Sequence, residues 1–143
     1  MRVLLDTHIL MWALAEPRRL DAETRATIES RDIEVLFSAA SIWEIAIKAG
    51  LGHTDFAFDP TEIAGSALDT GFTELPVRAK AAAFVARLPL LHRDPFDRVL
   101  VAQAIVDDRC AARALFGIGQ TCRSALAATG ASAPNRSEAA TEL

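Results

Sequence analysis

Three acidic residues of this sequence, Asp6, Glu44 and Asp97, lie at the end, in the middle and at the start of apolar stretches. A buried carboxylate costs free energy unless a positive charge or a hydrogen-bond donor compensates it. Carboxylate oxygens, in a chain without cysteine or histidine at ligand spacing, favour a hard divalent cation such as Mg²⁺ or Mn²⁺. Such a cation activates water and neutralises charge on a phosphate oxygen. The three acids would therefore support metal-assisted displacement at phosphate.

Each acid also has a purely structural explanation. Ser41 and Glu44 match the S-x-x-E capping box, and Glu44 can pair with Lys48 one helical turn later. Asp94 and Asp97 suit the N-cap and the first turn of a helix that begins with proline. The first of the three acids directly precedes a helix that it could cap. These explanations stay open beside the chemical one.

Strand and helix patterns alternate along the chain. The predicted strands are 2–5, 34–38 and 72–76, and the predicted helices are 7–16, 21–30, 41–50, 60–70, 77–88 and 95–108. Short apolar strands that alternate with helices predict an α/β fold whose central sheet is mostly parallel and covered on both faces.

This fold would bring the acids together, because parallel strands end at the same edge of their sheet. Asp6 ends the first strand, and Glu44 is predicted in the first turn of the helix that follows the second. Asp97 joins them if the helix from 95 also starts at that edge. We expect the three carboxylates to converge on one crevice, where protonation or a metal ion relieves their repulsion.

Composition excludes several other classes of protein. The 143 residues are 51% hydrophobic, which suits one globular domain, and the two cysteines, twelve positions apart, fit neither a disulfide framework nor a zinc site. No apolar run approaches the roughly 20 residues that span a membrane, and an acid soon interrupts the first apolar run. We therefore expect a cytoplasmic protein.

Charge and glycine content bear on possible ligands. The net charge of −4 means that affinity for nucleic acid would need local arginines or a bound cation. Nucleotide binding by a similar α/β sheet is a far weaker hypothesis than metal-assisted chemistry, because the chain has neither G-x-G-x-x-G nor a P-loop.

Four segments together carry a resemblance to a known family, over about residues 1–108. They are "LLDTHILMWAL", "VLFSAASIWEIAIKAGLG", "TELPV" and "LPLLHRDPFDRVLVAQAIVDD". In order and spacing they resemble the PIN-domain ribonucleases, specifically the VapC toxins of bacterial type II toxin–antitoxin systems. The resemblance implies a Rossmann-like, three-layer α/β/α sandwich, Mg²⁺-dependent endonucleolytic cleavage of RNA, neutralisation by a cognate antitoxin, and a homodimer.

The resemblance also implies roles for individual residues. Asp6, Glu44 and Asp97 match the first three acidic metal ligands of the family. Supporting roles on the ligands or on RNA phosphates are expected for Thr7, Arg93, Asp94 and Arg98. The simpler alternatives are a turn for Thr7, solvated arginines, and a helix cap for Asp94.

The resemblance ends near residue 108. The family usually continues with a strand and an aspartate, often the fourth acidic ligand, whereas residues 109–137 contain no Asp or Glu. We predict a PIN domain over 1–108 with its C-terminal strand missing or altered, a divergent segment over 109–130 and a disordered tail over 131–143. Fewer carboxylates predict weaker metal binding and weakened or absent nuclease activity. The alternative is an inactive PIN-fold module that binds an antitoxin or RNA.

Overall fold

The computed structural model describes residues 2–90 and 93–107. Within these ranges the chain forms three strands, six α-helices and three short 3-10 turns. They are β1 (Arg2–Leu5), α1 (Thr7–Ala15), α2 (Ala22–Glu29), β2 (Glu34–Ser38), α3 (Ala39–Gly50), α4 (Pro60–Thr70), β3 (Thr73–Leu75), α5 (Ala79–Phe84) and α6 (Pro95–Val106), with the 3-10 turns at Pro17–Arg19, Thr54–Phe56 and Val85–Arg87.

The three strands form one parallel sheet in the order β1-β2-β3. Leu4 pairs with Leu36, which in turn pairs with Thr73. Because successive side chains of a strand point to opposite faces, Val3 and Leu5 enter one core while Leu4 enters the other. β1 and β2 are thus buried on both faces, as their apolar sequences predict, whereas Thr73 and Glu74 of β3 are exposed.

Two hydrophobic cores sandwich the sheet. On one face, α1, α3 and α4 contribute the buried residues Ile9, Leu10, Met11, Ile45, Ile63 and Ala67. On the other face, α6 and the segment after α5 contribute Leu88, Leu100, Val101 and Ala102. The molecule is a three-layer α/β/α sandwich with a parallel sheet, which confirms the predicted fold class.

Aspartates cap four of the helices that surround the sheet. Asp6, Asp21, Asp59 and Asp94 accept hydrogen bonds from backbone amides in the first turns of α1, α2, α4 and α6, at 2.7–2.8 Å. Such caps satisfy amide groups that have no partner within the helix. At the other end of α4, Gly71 has a φ of 97°, a conformation that a residue without Cβ adopts at little cost.

The start of α3 differs from the prediction. Ser38, the last residue of β2, caps the helix by accepting from the amide of Ala40 at 3.0 Å. The helix therefore begins at Ala39, two residues earlier than the predicted start at residue 41, with no loop after the strand. The predicted capping box between Ser41 and Glu44 is wrong, and Glu44 lies in the second turn of α3 instead of the first.

The predicted helix over 77–88 is shorter than expected. It consists of α5 and the 3-10 turn Val85–Arg87. The Arg98 guanidinium of α6 donates hydrogen bonds to the carbonyls of Val85, Leu88 and Pro89. Arg98, which lies outside the segment 85–89, supplies the hydrogen-bond donors for these carbonyls. The helix can therefore end there without leaving buried carbonyl oxygens unpaired.

Residues 108–143 lie outside the described residues. The predicted boundary at 108, the divergent segment over 109–130, the disordered tail over 131–143 and the altered C-terminal strand therefore stay predictions. Within the described ranges, no helix has the length and apolar character that crossing a membrane requires.

Candidate functional site

Asp6 lies where β1 ends and α1 begins. Its carboxylate caps α1 by accepting from the Ile9 amide at 2.8 Å. Burial raises the pKa of this carboxyl to about 7, against the lowering effect of the Ile9 hydrogen bond, and the charges of Asp97 and Glu44 raise the pKa further. Asp6 is thus a helix cap and also lies close enough to Asp97 and Glu44 to sense their charge.

Glu44 is buried, with 2% of its surface exposed. One carboxylate oxygen, Oε1, accepts a hydrogen bond from Lys48 Nζ at 2.5 Å. The other, Oε2, accepts from the hydroxyl of Thr7, which also lies 3.1 Å from the Ser41 hydroxyl. The predicted pairing with Lys48 is confirmed, and Thr7, the buried first residue of α1, holds Glu44 from the opposite side.

Lys48 contacts a second acid that lies far along the chain. Its Nζ is 3.4 Å from Oδ2 of Asp94, the cap of α6. Burial of the Lys48 ammonium opposes its charge, but the hydrogen bond and charge of Glu44, helped by Asp94, raise its pKa. Helical spacing reveals the contact with Glu44, whereas the contact with Asp94 arises only when α6 packs beside α3.

Asp94 and Asp97 open α6 at the same site. Oδ1 of Asp94 accepts from the amides of Phe96 at 2.8 Å and of Asp97 at 3.4 Å. Asp94 is therefore the N-cap of α6, as predicted, and its ion pair with Lys48 is a second contact. Asp97, half-buried in the first turn, is one of the two acids whose charge raises the pKa of Asp6.

The two arginines considered for RNA phosphates have different surroundings. The Arg98 guanidinium donates to backbone carbonyls of the segment 85–89 at 3.0–3.3 Å, and its expected contact with phosphate stays a prediction. Arg93 is exposed at the start of the 93–107 range. Its expected contact with phosphate stays a prediction.

A buried glutamine fixes the position of α6. Gln103, with 0% of its surface exposed, accepts a hydrogen bond from the Ser38 hydroxyl at 2.5 Å and donates to the Pro76 carbonyl at 3.2 Å. Ser38 ends β2 and Pro76 follows β3, so Gln103 joins α6 to the carboxyl ends of two strands. In the sequence, this residue belongs to the segment "LPLLHRDPFDRVLVAQAIVDD", which carries part of the family resemblance. A polar residue inside an apolar helix was the available signal for a buried hydrogen bond.

The donor chemistry of the cluster fits a hard divalent cation, because its ionisable ligands are all carboxylates. Within the described ranges, however, no group of three or more His, Cys, Asp or Glu side chains is arranged to hold a metal ion. Both oxygens of Glu44 accept from protein donors, Thr7 and Lys48. The ligand roles expected for Asp6, Glu44 and Asp97 stay a prediction.

Comparison with known proteins bears on the family. A family model described as the PIN domain matches residues 3–109, which is more than half of the chain. The comparison with curated proteins finds no match. The comparison with solved structures finds none either.

Proposed function

We propose, on the premise that this chain belongs to the PIN domain family, that it is a metal-dependent endoribonuclease and the toxin of a type II toxin–antitoxin system. PIN domains are generally metal-dependent nucleases. The proposal is supported by the family match together with the proximity of the buried Asp6 carboxylate to Asp97 and Glu44, whose charges act on it. A buried carboxylate beside other acids is typical of a functional site.

In this proposal the acids have distinct tasks. Asp6 and Asp97 would hold Mg²⁺ or Mn²⁺, and Glu44 would complete the ligand set directly or through a water molecule. When bound, the ion supplies positive charge to a phosphate oxygen and lowers the pKa of a water molecule. Thr7 and Lys48 hold the Glu44 carboxylate in place, and Asp94 caps the helix that carries Asp97.

The remaining parts of the proposal rest on the resemblance to VapC toxins. They are RNA as the substrate, a cognate antitoxin as the protein that neutralises the toxin, a homodimer as the assembly, and the cytoplasm as the compartment. The net charge of −4 makes the cation doubly useful, because an RNA phosphate would otherwise approach a negative protein.

The second candidate function is an inactive PIN-fold module that binds an antitoxin or RNA. Two observations favour it. No three-ligand group is arranged for a metal within the described residues, and residues 109–137 supply no acid in place of the family's fourth ligand. Under the leading proposal, we expect this chain to have weaker nuclease activity than an enzyme with four acidic ligands.

The test is cleavage of a single-stranded RNA by the purified chain with Mg²⁺, Mn²⁺ or EDTA. We expect slow cleavage that requires the cation and falls at least about a hundredfold in Asp6→Asn, because the metal loses a charged ligand. The matched control is Asp59→Asn, since Asp59 is also an aspartate N-cap and asparagine caps equally well. Cleavage that persists in EDTA contradicts the metal mechanism, and no cleavage with any cation supports the inactive module.

A further inference from the structure

The ammonium group of Lys48 bridges two carboxylates that come from distant parts of the chain. Nζ lies 2.5 Å from Oε1 of Glu44 and 3.4 Å from Oδ2 of Asp94. Glu44 belongs to α3 and Asp94 caps α6, the helix whose first turn carries Asp97. One flexible side chain therefore joins the two helices that bring Glu44 and Asp97 to the site.

Aromatic rings enclose the same ammonium. Nζ is 4.8 Å from the ring centroid of Phe56 and 5.8 Å from that of Phe96. Both distances lie within the range of cation–π attraction. The side chain is only 22% exposed, so water screens its charge less than at an open surface. The contacts of Lys48 thus come from four segments: its own helix, the turn Thr54–Phe56, the cap of α6 and α6 itself.

Negative side chains outnumber Lys48 at the site. Four carboxylates, Asp6, Glu44, Asp94 and Asp97, meet at this edge of the sheet, and two of them are within hydrogen-bond or ion-pair distance of Lys48. A divalent cation at Asp6 and Asp97 would add its charge to the same group of acids that Lys48 already balances in part.

We propose that Lys48 is a positioning residue that acts as a tethered counter-cation of the acidic site. It holds Glu44 and Asp94 against each other, and it shares with the divalent ion the neutralisation of the carboxylates. The part about the ion rests on the proposed function. Because two positive charges at one site repel each other, Lys48 limits the affinity for the divalent ion while it stabilises the folded chain without it.

The test measures Mn²⁺ binding to the full chain by electron paramagnetic resonance and thermal unfolding with EDTA or Mn²⁺. We expect Lys48→Met to bind Mn²⁺ about three- to tenfold more tightly than the original chain, and to unfold at a lower temperature in EDTA. The rise in unfolding temperature on adding Mn²⁺ is then larger in the variant. A purely structural lysine would lower the unfolding temperature equally with and without the ion.

Two controls make the result specific. Lys48→Arg keeps the charge and is expected to restore Mn²⁺ affinity to within about twofold of the original. Lys80→Met removes the same charge from an exposed position of α5, and is expected to leave affinity unchanged, because solvent screens a distant surface charge. Unchanged or weaker Mn²⁺ binding in Lys48→Met would overturn the proposal.

The stability measurement also separates this proposal from the proposed function. If no form of the chain binds Mn²⁺, the metal-dependent function fails, and a double-mutant cycle in EDTA decides about Lys48. We expect the loss in unfolding temperature of Lys48→Gln to shrink by at least about half when Glu44→Gln is also present, because no buried charge is then left unpaired. Additive losses would contradict the role of counter-cation. Lys48→Gln keeps a polar side chain and serves if Lys48→Met does not fold.

Discussion

The hydrogen bonds of Gln103 offer the most direct test of how the structure positions α6. Gln103→Leu keeps the approximate volume of the side chain but removes its contacts with the Ser38 hydroxyl and the Pro76 carbonyl, at 2.5 and 3.2 Å. The residue is 0% exposed, so water does not replace the lost contacts. Each buried group left without a partner costs about 1–3 kcal/mol.

We therefore expect Gln103→Leu to lower the free energy of unfolding by about 2–4 kcal/mol, a large part of the ~5–15 kcal/mol typical of a domain. Ser38→Ala removes the same hydrogen bond from its other end and also the cap of α3, which is worth about 1 kcal/mol. The two substitutions share one hydrogen bond, so the double variant should lose about 1–2 kcal/mol less than the sum of the single losses.

Urea unfolding followed by circular dichroism measures these losses. Glu62→Leu is the matched control, because it introduces the same leucine at an exposed position of α4, and it should stay within about 0.5 kcal/mol of the original chain. A Gln103→Leu variant as stable as this control, or exactly additive losses in the double variant, would refute the argument. A second consequence is weaker Mn²⁺ binding in Gln103→Leu, because α6 carries Asp97.

Three further predictions follow from single residues. Burial raises the pKa of the Asp6 carboxyl from 3.8 to about 7, so the folded chain holds this proton more tightly than the unfolded chain, and the contribution of Asp6 to stability falls as pH rises from about 4 to about 7. Urea midpoints in EDTA should show this fall in the original chain and a smaller one in Asp6→Asn, which keeps the cap; equal slopes would contradict it. Gly71→Ala should cost about 1 kcal/mol, measured as a lower urea midpoint, because a residue with a Cβ disfavours the backbone φ of 97°, although nothing lies within 4 Å of the added Cβ. Arg98→Met should cost about 2–4 kcal/mol in the same assay, because the carbonyls of Val85, Leu88 and Pro89 lose a charged donor; a change below about 0.5 kcal/mol would show that water satisfies them.

Local patterns were sufficient for most of the fold. Short apolar runs predicted β1 and β2 at their observed bounds, and Asp94 with the proline after it predicted the start of α6. A strand's pattern repeats every two residues, and a cap involves residues two or three apart. The wrong capping box at Ser41 has the same origin, because Ser38 offers an equally good cap three residues earlier.

What the sequence by itself determined, then, is the α/β class, the mostly parallel sheet, and the expectation that Asp6, Glu44 and Asp97 share one edge. The sequence also predicted the pair of Glu44 and Lys48, whereas the tertiary structure alone decided the polar contacts between distant segments. Lys48 reaches Asp94 across 46 positions, and Ser38 reaches Gln103 across 65. The physical reason is that helices and strands form from contacts between near neighbours, whereas a buried polar group takes as its partner whichever donor or acceptor the packed layers bring within about 3 Å.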